Sequence, residues 1–132
     1  MTLAAKILCA IGCVLLLVTA LFHATGYSEV RDALSESNVS TFLKGALPGV
    51  WLHFSMHLAV LVAFGIVALL SAQAVRSLLA LLALAVAVDA ALVFSVAGFF
   101  AGVALLGAAA LCFAVAAIQS HPRRPESRGS GT

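Results

Sequence analysis

The sequence predicts an all-α integral membrane four-helix bundle, and three observations carry that reading. Of 132 residues, 64% are apolar and 9% are Asp, Glu, Lys or Arg, against about 25% charged residues in a soluble domain. Four runs reach the roughly 20 consecutive apolar residues that a membrane-crossing helix needs. Those runs are too long and too rich in Ala and Leu for strands, and backbone groups in lipid must be satisfied within their own segment. The same composition rules out an ordinary cytosolic enzyme or a disordered chain. A net charge of +2 with no basic stripe leaves no nucleic-acid partner to expect.

The spans fall at 6–24, 49–72, 75–96 and 98–119, forming one transmembrane domain over 1–119. Lys6 before an apolar stretch and Val18-Thr19-Ala20 also fit a signal peptide. The apolar run continues through Leu21 and Phe22, long enough to span, so retention of the first helix is expected. The second connection is a tight turn containing Arg76, and the third is a minimal turn near Ala97-Gly98.

One loop of real length, 25–48, separates the first two spans. Tyr27 to Leu34 predicts two amphipathic turns with Ser28 as N-cap. A second short turn, Thr41 to Lys44, is expected to start at Ser40 and stop at Gly45, before Pro48 opens the second span. Tyr27 and Trp51 bracket the loop where an interfacial aromatic belt would place them. The tail, 120–132, is rich in Pro, Ser, Gly and Arg and predicts a disordered basic segment.

Lys and Arg set the orientation. Lys6, Arg76, Arg123, Arg124 and Arg128 fall on one side, against Arg31 and Lys44 in the long loop. Both termini and the tail are therefore expected in the cytoplasm and the long loop outside, with a bacterial inner membrane as the expected location. Gly98 and Gly102 form a GxxxG motif, read as a helix-packing face within the chain or in a homo-oligomer.

The residues that composition does not explain are ionisable groups within the spans. Such groups cost about 2.5–3.5 kcal/mol on insertion scales and usually face protein or water. At 1.5 Å rise per residue, His53 and His57 lie about 6 and 12 Å below the start of span two. Asp89 lies about 10 Å from the end of span three by the same rise, and His23 is in the last turn of span one. Three helices thus bring the imidazoles and the carboxylate to one layer, the outer leaflet.

His53 and His57 are four apart, so they share a helix face with Met56. An i, i+4 pair of imidazoles can hold Cu or Zn, with Met56 favouring copper. His23 is the candidate third metal ligand, and Asp89 a fourth or an acceptor that orients an imidazole. The same groups could relay protons. Haem b is the other candidate cofactor: its axial ligands approach from opposite faces, so His23 would pair with one histidine of span two. Cys9, Cys13 and Cys112 share the inner leaflet and are expected to act as small apolar residues rather than metal ligands. The HxxxH pair has Phe54 where a zinc protease carries Glu.

The expected function is therefore a small polytopic membrane protein whose outer-leaflet His/Asp pocket binds a transition metal or haem. Two alternatives come from other classes: an accessory or assembly subunit of a larger membrane complex, and a small proton-coupled transporter using Asp89. The lipid bilayer is the expected partner in each case.

Overall fold

The computed structural model describes residues 1–71 and 75–120. Among them the chain is helical, with no strand. Helix α1 (Leu3–Thr25) begins where the Thr2 hydroxyl accepts from the Ala5 N–H at 3.1 Å. Such a cap satisfies one of the donors that a helix start leaves free. After a break at Gly26, α2 (Tyr27–Glu36) runs on as a separate short helix. Its N-cap is Gly26 with no side-chain bond, so Ser28 lies inside the helix rather than capping it.

Helix α3 (Thr41–Leu70) absorbs the second short turn and the second span into one element. The Ser40 hydroxyl caps it by accepting from Leu43 N–H at 3.4 Å. The expected stop at Gly45 does not occur, and Pro48 sits buried inside the helix. Proline removes one rung and crowds the carbonyl a turn earlier, at a cost of about 3 kcal/mol. Here it is the eighth residue, at the start of the third turn, and the Ser40 cap secures the helix start ahead of it.

Helices α4 (Val75–Ala97) and α5 (Ala101–Gln119) complete the chain. Gly98 ends α4 with φ at 73°, a conformation that side chains with a Cβ disfavour. Phe100 is extended and precedes α5. The fourth span therefore starts at Ala101 rather than residue 98. Arg76 lies in the first turn of α4 rather than in the connection before it, and residues 72–74 and the tail from 121 onward lie outside the described residues.

Four helices, counting α1 and α2 as one continuous stretch, are long and apolar enough to cross a membrane. The chain has the form of a multi-pass membrane protein. Helix α1 packs against both α3 and α5, and α4 packs chiefly on α5, while α3 and α4 meet over a much smaller area. The centre of the bundle is Phe113 of α5, fully buried with Leu16, Leu58, Leu79 and Leu106. Its ring lies against α1 where Gly12 leaves room; a Cβ there would stand 2.9 Å from Phe113 Cζ.

Cys9 and Cys13 are buried beside this joint and donate weakly to the carbonyls of Gly65 and Val62, at 3.6 and 4.0 Å. They pack α1 against α3 as small polarizable side chains do. Large apolar side chains such as Leu21, Leu70, Leu84 and Ile118 point away from the bundle, as lipid contact requires.

Candidate functional site

At the end of the bundle that carries α2, the helices part around an open cleft. A cavity of about 860 Å³ is lined by residues from all five helices, and its wall is almost wholly apolar. That volume lies within the roughly 300–1,000 Å³ of small-molecule sites. Helix α2 contributes Val30, Ala33 and Leu34, the inward side of the amphipathic turns. Phe22, Trp51, Phe54 and Phe100 give the wall its aromatic surface, and Leu106 lies among the deeper lining residues. The cavity exists because α3 and α4 meet so little while α2 and the α4–α5 turn still draw chain around this end.

Three polar side chains reach the cavity wall: Thr19, His23 and Asp89. Thr19 is turned back on its own helix, donating to the Leu15 carbonyl at 2.8 Å. His23 is held on three sides. Its Nδ1 lies 3.0 Å from the Ser55 hydroxyl, its ring stacks on Trp51 with centroids 4.1 Å apart, and Phe54 meets it edge-on at 5.0 Å. Trp51 is fixed in turn by donating Nε1–H to the His23 carbonyl at 2.9 Å. His23 Nε2 makes no hydrogen bond among the described residues, and it is not sealed off as a buried orphan.

Asp89 is the more enclosed member of a second pair. Its Oδ2 lies 3.1 Å from His57 Nε2, and its side chain is 15% exposed against 39% for His57. This bond ties α3 to α4 across the gap where the two helices otherwise touch little. The other carboxylate oxygen has no partner among the described residues.

The expected four-residue constellation therefore divides. His23 and Asp89 share the cavity, and His57 reaches it through Asp89. His53 and Met56 are exposed on the outside of α3 and do not line the cavity. A helical step of four leaves two side chains about 40° apart, and here that angle separates an exposed imidazole from one engaged with α4. Among the described residues, no group of three His, Cys, Asp or Glu side chains gathers as a metal would need. His57 is bonded to Asp89 and His53 is exposed, and neither is on the cavity wall beside His23.

The glycine pair also parts. Gly98 lies in the α4–α5 turn and Gly102 is buried in α5 against the Phe100 ring, so the two do not share a helix face.

Sequence reasoning passed over Ser55, Trp51 and Phe54 as site residues. Ser55 carried a usable signal: a hydroxyl in the middle of an apolar span needs an acceptor or donor, and its neighbour proved to be an imidazole. Comparison with protein-family models, with curated proteins and with solved structures found no match, so the functional argument rests on the site itself.

Proposed function

We propose that this is a membrane-embedded binding protein whose cavity at the α2 end takes a small molecule with a mainly apolar body. One observation carries the reading: a cavity of about 860 Å³ whose wall is apolar but for Thr19, His23 and Asp89. Ligand sites pair an apolar wall with a few placed polar groups that fix orientation. His23 and Asp89 each have one atom with no partner among the described residues, and each is held in position by a second residue, Ser55 or His57. With both termini in the cytoplasm, as the Lys and Arg distribution favours, the cavity opens in the outer leaflet of a bacterial inner membrane.

The chain supplies its own reporter. Trp51 is the sole tryptophan and lines the cavity. Diphenylhexatriene, an uncharged apolar fluorophore, titrated into the full chain in a maltoside detergent should accept energy from Trp51 saturably, at one molecule per chain. Val93→Phe, which fills the cavity from α4, should weaken that binding. Transfer that rises without saturation, unchanged by Val93→Phe, would defeat the proposal.

A second reading has an observation of its own. His23 is an imidazole on the cavity wall with Nδ1 oriented by Ser55 and Nε2 without a partner among the described residues, the arrangement in which a neighbouring donor or acceptor fixes a ligating histidine. Haem b bound there would have His23 as its single protein ligand. A Soret band that is lost in His23→Ala supports this reading, and protein reconstituted with haem b that shows no such band excludes it.

A further inference from the structure

Resting on the cavity reading, we infer that the molecule it takes is a lipophilic monocation, held by Asp89 among the aromatic rings of the wall. Among the described residues, Asp89 is the one acidic side chain on that wall, and no Lys or Arg lines it. The imidazole of His23 is committed at Nδ1 to Ser55 and lies flat against Trp51. Asp89 is thus the sole acidic group among the described lining residues, in a wall whose other surface is hydrocarbon and aromatic.

The geometry around Asp89 suits a cation rather than a neutral donor. His57 engages Oδ2 from α3, while Oδ1 has no partner among the described residues and Asp89 lies on the cavity wall. A carboxylate taken out of water is costly unless an opposite charge and hydrogen bonds meet it. His57 supplies a hydrogen bond, and the described residues supply no Lys or Arg beside Asp89. A bound cation would complete the site.

The aromatic wall adds to the same preference. Phe22, Trp51, Phe54 and Phe100 ring the cavity, and the negative faces of such rings attract cations, by about 0.5–2 kcal/mol per contact depending on desolvation. An anion of the same shape would meet both the carboxylate and the ring faces with the wrong sign. A neutral molecule would gain the apolar contacts alone.

Three molecules of nearly one shape test the inference: tetraphenylphosphonium, tetraphenylmethane and tetraphenylborate. Each is titrated into the full chain in maltoside detergent, with Trp51 emission and equilibrium dialysis as readouts. The phosphonium should bind about tenfold or more tighter than tetraphenylmethane, with tetraphenylborate weakest. In Asp89→Asn the cation should lose that advantage, while diphenylhexatriene binding persists as proof that the cavity is intact.

Equal affinity for the phosphonium and tetraphenylmethane would overturn the charge inference and leave the cavity reading standing. Failure of all three, together with diphenylhexatriene, would overturn both. The comparison among the three uses the unaltered protein, so it decides the matter even where Asp89→Asn does not fold.

Discussion

Phe113→Ala should loosen the joint between α5 and α1, and Gly12→Val should repair part of the damage. Deleting a buried Phe ring costs about 3–5 kcal/mol in a water-soluble core. Part of that is transfer from water, about 1.5–3 kcal/mol for a fully buried side chain. Lipid tails and detergent chains are as apolar as a protein core, so that part is lost in a membrane. About 2 kcal/mol remains, from contacts that the fully buried ring makes and alanine cannot.

Gly12→Val alone drives a side chain into the ring, because even a Cβ would stand 2.9 Å from Phe113 Cζ. Overpacking of this kind costs about 1–3 kcal/mol. In the double variant the valine occupies space the ring has left. The two effects should then fall short of their sum by about 1–3 kcal/mol, as for residues in direct contact. A fluorogenic thiol reagent reads the unfolding, since Cys9 and Cys13 are buried at the same joint. By the scaling of soluble domains, Phe113→Ala should lower the melting temperature by about 5–10 °C. Losses that simply add in the double variant would refute the packing account.

Three further outcomes are expected. His57→Ala should destabilise more than the pair is worth, because Asp89 is left without its donor, whereas His57→Leu with Asp89→Leu should lie within about 1 kcal/mol of the parent in the same thermal assay; bonds of this kind average about 0.6 kcal/mol in membrane proteins. Gly98→Ala should lower stability by about 1–2 kcal/mol, since its φ of 73° is left-handed, and Gly45→Ala, which meets open space in α3, should not. Cys9 should resist maleimide in the folded protein and react on denaturation, checked by mass spectrometry, because its thiol is fully buried and engaged with the Gly65 carbonyl.

Span positions were readable because hydropathy reports length directly: α1, α4 and α5 lie within a few residues of the sequence-based spans. The start of α3 was not, because Gly45 and Pro48 are strong local stop signals that the Ser40 cap and the packing of α3 on α1 and α2 outweigh. The placement of His23, His57 and Asp89 toward one end followed from rise per residue alone. Which way each side chain points did not. Helix α3 is apolar around most of its circumference, so no periodicity marks the face that meets α1 and α4. His53 and His57 look equivalent in the sequence and part company only through tertiary packing. The cavity itself was illegible for the same reason: it is a gap between α3 and α4, and gaps leave no residue signature.

Native mass spectrometry of the full chain, released from its detergent micelle after purification from native membranes, tests the central claim most directly. The account predicts one small organic molecule retained per chain, lost or diminished in Val93→Phe, which narrows the cavity and leaves His23 and Asp89 themselves unsubstituted. A protein that carries no such molecule, and that neither diphenylhexatriene nor tetraphenylphosphonium loads to one per chain, would contradict it.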